Sequence, residues 1–325
     1  MVIYEKDILD METIKNLNRL LHFPTLLLIA VMQVVTYYFI ITPMLAQYGM
    51  TPLMSVMDLA NLVLASVFMA AGGFVINDYF DLKIDEINRP LTRVVGRVIE
   101  KHTAMTLYIA LTVVGVLFAL WLCWHARSFD YALMMLFFTG ILWFYSSTYK
   151  RILVLGNLVV AILMGLVPMM VTIFQNYFLV QHFMMDPDLS LLMSDCLSYT
   201  GGIALLVFAW TFVVEVIKDL STEKGDRELE CHTFPIVWGE KKTKILLYVW
   251  ITLIWAVFGY IIYNTPALHS SLSLRLYVCF TLIPAFSLYY VIAKARNAGD
   301  YRLLVNYSIV ILALNVFYSY ALFHN

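Results

Sequence analysis

Apolar runs of about twenty residues, parted by short polar stretches, recur along the whole chain, and each is long enough to cross a bilayer as a helix. Nine can be marked, at 24–45, 56–80, 103–124, 129–149, 155–175, 201–217, 244–263, 272–293 and 301–323. The fold class they predict is all-α: a nine-transmembrane-helix bundle forming a single intramembrane domain over 24–325. Ahead of it, residues 1–23 read as an interfacial amphipathic segment, with Ile8, Met11, Ile14, Leu17 and Leu21 on one side and charges on the other. No cleavable leader is expected, because a mixed-charge stretch precedes the first run and that run is too long for a signal core. Segment 176–200 is expected as the longest connection on the far side, and it holds no Lys or Arg.

The bases test this count of crossings. Of the 21 Lys and Arg, all but Arg127 and Arg275 fall in the segments that would share one side: 1–23, 81–102, 150–154, 218–243 and 294–300, with a residue or two of the flanking helices. The positive-inside rule makes that side the cytoplasm, with the N-terminus inside and the C-terminus outside. The expected location is therefore an integral, multi-pass membrane position, in the inner membrane if the source is bacterial. Composition agrees, since 62% of the 325 residues are hydrophobic, 13% are charged and the mean hydropathy is +0.81. A net charge of −1 implies no general attraction to nucleic acid. The 4 cysteines are scattered, without the paired spacing of a disulfide framework or a zinc site. Cys231-His232 alone cannot hold a metal.

Candidate chemistry begins where the second apolar run ends, in Asn77-Asp78-Tyr79-Phe80-Asp81-Leu82-Lys83-Ile84-Asp85. Continued as a helix at about 100° per residue, Asn77, Asp81 and Asp85 share one face and Asp78 joins them. Carboxylates packed so closely repel one another unless a cation sits between them. Hard oxygen ligands suit Mg²⁺, which usually shares such carboxylates with the phosphates of a substrate. A solvated acidic turn at the membrane surface is the plain alternative. Its weight falls because a second acidic stripe, Glu215, Asp219, Glu223 and Asp226, closes a later apolar run. An even number of crossings separates the two, so they lie on one side at similar depth. Paired in this way, they make a site able to hold a diphosphate between Mg²⁺ ions.

Bases accompany both stripes. Arg89, Arg93 and Arg97 recur through a loop punctuated by Pro90 and Gly96. Guanidinium forks suit phosphate oxygens, and the positive-inside rule alone also explains arginines here. Tyr145, Lys150 and Arg151 fall at the same depth, as diphosphate ligands or as an interfacial anchor. In the second run, Ala65, Ala70, Ala71, Gly72 and Gly73 either let another helix approach closely or mark a bend.

These residues resemble a known family. Asn77-Asp78-x-x-Asp81-x-x-x-Asp85 with Ile87-Asn88-Arg89-Pro90 is similar to the first signature of UbiA-type intramembrane prenyltransferases. Lys218-Asp219 followed by Gly225-Asp226-Arg227 resembles their second, Tyr145 with Lys150-Arg151 the motif between, and His232-Thr233-Phe234-Pro235 with Gly239 the usual continuation. The resemblance implies nine helices with the N-terminus inside, and transfer of a polyprenyl group from polyprenyl diphosphate to a hydrophobic acceptor within the membrane lipid. It implies Mg²⁺ held by Asn77, Asp81, Asp85, Asp219 and Asp226, with Asp78 in the same catalytic motif. Arg89, Tyr145, Lys150, Lys218 and Arg227 would bind the diphosphate. Two departures stand out: Thr222 replaces an aspartate of many relatives, so that Glu223 becomes the substitute ligand, and Leu91-Thr92-Arg93 follows Pro90 where Asp-Arg-Pro is frequent. Glu215-Val-Ile-Lys218-Asp219 resembles both the geranylgeranylglycerol-phosphate branch and the homogentisate branch, leaving a glycerol lipid and an aromatic quinone precursor open as acceptors.

Two other classes use similar residues. A cation-coupled transporter places its carboxylates near the bilayer midplane on broken helices, whereas these close helices beside a basic loop. A CDP-alcohol phosphotransferase-like enzyme needs a glycine directly after an aspartate and a further Ala-Arg, which the motifs lack.

Overall fold

The computed structural model describes residues 2–183, 187–264 and 270–318. Helices follow one another in the order α1 (Val2–Leu21), α2 (Phe23–Gln47), α3 (Val56–Phe80), α4 (Leu82–Asn88), α5 (Lys101–His125), α6 (Asp130–Ser147), α7 (Leu155–His182), α8 (Pro187–Glu228), α9 (Phe234–Asn264), α10 (Ser271–Lys294) and α11 (Ala298–Phe317). Among the described residues, eight of them are long and apolar enough to span a bilayer. The expected run 129–149 corresponds to α6, a helix of 18 residues.

Segment 176–200, expected as a connection, is mostly helical: α7 runs on to His182 and α8 starts at Pro187. Residues 184–186 lie outside the described residues. The one breaker in the stretch, Pro187, stands at the start of α8, where a proline sacrifices no backbone hydrogen bond. At 42 residues α8 is about 60 Å long, roughly twice the hydrocarbon thickness. It therefore carries the second acidic stripe to the edge of the apolar layer. Packed against α7, α9, α11 and α4, α8 is also the most enclosed span, 67% of its apolar window being buried against 22% for α5 and for α9.

Small residues let α3 and α5 touch, as Gly72 and Gly73 led one to expect. A Cβ on Gly72 would stand 2.8 Å from Thr112 Oγ1, and one on Gly115 would stand 2.7 Å from Met69 Cγ and 3.0 Å from the Met69 backbone nitrogen. Leu142 of α6 closes over Gly73. The glycine pair does not bend α3, which runs unbroken from Val56 to Phe80. At its start, Ser55 and Asp58 form a reciprocal capping box. Two other spans depart from regularity through a π-turn just ahead of a proline, Tyr37–Ile41 before Pro43 and Val278–Leu282 before Pro284, and α9 is kinked at Gly239, whose φ is 80°.

Residues 2–21 are helical, and the chain then turns at His22, whose φ of 52° and ψ of 53° part α1 from α2. Leu20 is buried with Val75, Val94, Val95 and Ala104, which pins α1 beneath α3 and the basic loop. Ile14 and Leu17 stay exposed, in keeping with an outward apolar side, while the side chains of Ile8 and Met11 lie outside the described residues.

Candidate active site

The first acidic motif straddles a break in the helix. Continuity was expected from Asn77 to Asp85, but α3 ends at Phe80 and α4 restarts after Asp81, whose φ of −86° and ψ of 6° are not helical. The Asp85 N–H still donates to the Asp81 carbonyl at 2.8 Å, so the acidic face is preserved across the kink. Arg89, directly after α4, folds back over it. Its Nε and Nη2 donate to the two Asp85 oxygens at 2.7 and 2.8 Å, and Nη2 reaches Asp78 Oδ1 at 2.9 Å. This is the paired-fork geometry that arginine offers and lysine does not. Burial raises the Asp85 carboxyl above the usual range, with Arg89 opposing the shift.

Asp81 is held from the other side. Lys150, on the 3₁₀ turn Tyr149–Arg151, brings Nζ to 2.5 Å from Asp81 Oδ1 and donates to Asn77 Oδ1 at 3.2 Å. Asn77 in turn donates to Asp81 Oδ2 at 2.9 Å. Burial lowers the Lys150 ammonium while Asp81 supports its charge. Gly156 makes the turn possible, since a Cβ there would lie 2.7 Å from the Lys150 Cα. Val154 closes the turn at φ 69° and ψ −44°, a conformation that costs a β-branched residue of order 1–3 kcal/mol.

The second motif lines α8 opposite. Asp219 Oδ2 accepts from Asn157 Nδ2 at 2.9 Å, and Asp226 Oδ2 accepts from Thr222 Oγ1 at 2.9 Å. Lys218 Nζ stands 3.3 Å from Glu215 Oε2, and Tyr145 is half-buried near the end of α6. Because α4 packs against α8 and Asn88 at its end bonds the α8 backbone, the two motifs lie side by side. Glu223, expected as a substitute ligand, pairs here with Arg227, whose Nη2 donates to it at 2.6 Å, and Thr222 serves Asp226 by a hydrogen bond. Of the loop arginines only Arg89 enters the site. Arg93 pairs with Glu86 at 3.0 Å, and Arg97 donates to the Leu91 carbonyl.

Three participants carried no signal of their own in the sequence. Asn157 follows Gly156 in an apolar run, and only the fold aims it at Asp219. Asn88 was one letter of a motif, yet it bonds α8 directly (below). His22 packs on Phe74 with ring centroids 4.8 Å apart; burial, with Lys218 and Arg89 nearby, lowers its pKa to about 4 and keeps the ring neutral.

The donor set fits a hard divalent cation. Among the described residues, no three His, Cys, Asp or Glu side chains ring a single point. Bare carboxylates repel, and here each has turned to Arg89, Lys150, Asn157 or Thr222 instead. Mg²⁺ needs no closed protein ring, because it keeps waters and takes one or two carboxylates plus substrate phosphate oxygens. Asn77, Asp81, Asp219 and Asp226 offer oxygens of that kind.

Membrane-length helices thus carry two acidic motifs, one where α3 gives way to α4 and one on α8, which packs against α4. The UbiA prenyltransferase family model matches residues 22–315, and the chain belongs to that family. Among similar proteins are the digeranylgeranylglyceryl phosphate synthases of Pyrococcus horikoshii (28% identical, 64% of this chain and 65% of that protein) and Thermococcus kodakarensis (30% identical, 56% and 58%). The matched region thus spans less than two thirds of either relative. A UbiA homolog from Archaeoglobus fulgidus bound to GPP and Mg²⁺ has the same fold, with a TM-score of 0.61 at 18% identity over 95% of this chain and 100% of that one. A digeranylgeranylglyceryl phosphate synthase structure superposes with a TM-score of 0.56 at 18% identity, covering 96% and 99%.

Proposed function

We propose that the protein transfers a polyprenyl group from polyprenyl diphosphate to a glyceryl phosphate lipid that already bears one prenyl chain. The observation that carries this reading is the packing of the α4 motif against the α8 motif, with Lys150 on Asp81 and Arg89 bridging Asp78 and Asp85. The acceptor class rests on the curated relatives, which are named for the doubly prenylated product.

The geometry suggests a division of labour. Arg89 and Lys150 already occupy the positions of counter-charges, and a diphosphate entering between the motifs exchanges their carboxylate partners for its own oxygens. Lys218 lies within the same field, and Arg227 becomes available once it releases Glu223. Mg²⁺ bound by Asn77, Asp81, Asp85, Asp219 and Asp226 would neutralise charge developing on the departing diphosphate. The C–O bond to diphosphate then breaks with its electrons going to the leaving group. The acceptor hydroxyl oxygen forms the new C–O bond to that carbon, and its proton passes to the departing diphosphate. Around this point the apolar faces of α3, α7 and α8 keep water from the allylic cation.

The site is read as cytoplasmic because nearly all Lys and Arg lie on its side of the membrane. With single cysteines at positions 97, 181 and 242, an impermeant thiol reagent should label only position 181 from outside. Labelling of all three from one face would overturn the orientation. The acceptor is tested by incubating purified protein with labelled geranylgeranyl diphosphate, Mg²⁺ and either a monoprenyl glyceryl phosphate or an aromatic quinone precursor. A labelled ether lipid is expected. A prenylated aromatic product alone would overturn the acceptor assignment.

A further inference from the structure

Asn88 is the only residue of the first motif's stretch whose side chain bonds the helix of the second, among the hydrogen bonds of the described residues. It ends α4, and its amide reaches into the last turns of α8 with both of its functions. Nδ2 donates to the Thr222 carbonyl at 3.1 Å, and Oδ1 accepts from the Gly225 N–H at 3.0 Å. The contact requires glycine at 225, where a Cβ would stand 2.5 Å from Asn88 Nδ2, 2.9 Å from its Cγ and 3.0 Å from the Ile84 carbonyl oxygen. A third element joins in: Arg302 of α11 donates to the Asn88 backbone carbonyl.

What this contact holds is an element that cannot hold itself. A helix of 7 residues has too few internal hydrogen bonds to be stable alone. Arg89 ties α4 to α3, within the first motif, but nothing in that tie sets the distance to α8. The bonded backbone groups at Thr222 and Gly225 flank the side chains of Thr222 and Asp226, the pair that orients the second motif. Only an amide can both donate and accept here; an aspartate would lose the bond to the Thr222 carbonyl, and an alanine would lose both.

We propose that Asn88 is a positioning residue for the reaction: it fixes the separation between the two acidic motifs, so that a metal-bridged diphosphate is gripped from both sides. The proposal rests on the prenyl-transfer reading for its kinetic consequence, though not for its structural one. Full-length Asn88→Ala and Asn88→Asp are compared with the parent in detergent by two measurements, hydrogen exchange of the peptide covering 82–93 and the Mg²⁺ dependence of prenyl transfer. In Asn88→Ala, exchange over 82–93 should quicken while that over 59–76 stays as in the parent. The Mg²⁺ concentration for half-maximal rate should rise about fivefold or more, the equivalent of one ordinary hydrogen bond lost from the bound geometry. Excess Mg²⁺ should restore most of kcat, a rescue that general unfolding would not allow. Asn88→Asp should fall between parent and alanine. Parent-like exchange over 82–93, or activity lost at every Mg²⁺ concentration, would overturn the proposal. Faster exchange in a protein whose parent transfers no prenyl group would overturn the functional reading and leave the clasp standing.

Discussion

Both ends of α3 carry a buried aspartate, and the two are satisfied in opposite ways. Asp58, at the start, has a side chain wholly out of reach of solvent. It accepts from the Ser55 N–H at 2.8 Å and the Ser55 hydroxyl at 2.6 Å, and it stands 2.6 Å from His125 Nδ1. Those partners are short side chains and a backbone group that close the helix end and tie it to the end of α5. At the other end Asp78, Asp81 and Asp85 are held by Arg89 and Lys150, long side chains able to change partners. A cap of short partners stabilises a fold, whereas carboxylates held mainly by long cationic side chains form a site that a charged ligand and its metal can enter.

Substitutions sharpen that contrast, and the largest effect should come from the exchangeable end. Asp81→Ala or Asp219→Ala should abolish transfer while leaving the detergent melting temperature near that of the parent; near-normal turnover in both would break the assignment. Asp58→Ala should do the reverse. It leaves the Ser55 donors without their acceptor, costs about 1–3 kcal/mol of stability and spares turnover per folded molecule. Thermal melting beside rate assays separates the two cases.

Next comes Lys150→Met, which removes the counter-charge of Asp81 and one candidate ligand of the diphosphate. A loss of about 10²-fold or more in kcat is expected, by analogy with the removal of a charge-stabilising donor elsewhere. Titration gives a smaller effect. His22 binds a proton more weakly when folded, about 4 against 6.5, so the unfolded chain takes up more protons between those values. The stability this supplies is complete above pH 6.5 and is lost as pH falls toward 4; His22→Phe should flatten the melting temperature over that interval. Smallest of all should be Glu223→Gln. Its pair with Arg227 is partly exposed and worth at most about 1 kcal/mol, so the Mg²⁺ requirement should hardly move. A severalfold rise would return Glu223 to the metal's ligands.

Much of the site could be read from the chain because its acidic residues close apolar runs, where charge is costly without a use. Asn77 through Asp85 and Asp219 with Asp226 were singled out in this way, and the small residues around Gly72 left a close helix approach as one of two readings, which the contact with Thr112 of α5 decides. Contacts between distant segments left no such trace. Asn157 and Asn88 look like ordinary polar residues until α7, α8 and α4 are assembled. The stripe on α8 showed that Glu223 was near Asp219 in angle, but not that Arg227, one turn on, would take it. At 176–200 the sequence marked a connection between spans, and the structure adds that most of it is helical.

The most direct test of the opposed-motif account is equilibrium binding of a non-hydrolysable prenyl diphosphate analogue to the purified protein, by calorimetry, with Mg²⁺ and with EDTA. Tight binding that needs Mg²⁺ and is lost in both Asp81→Ala and Asp219→Ala, but kept in Asp58→Ala, is the expected result. Equal binding in EDTA, or binding that survives the loss of either motif, would contradict it.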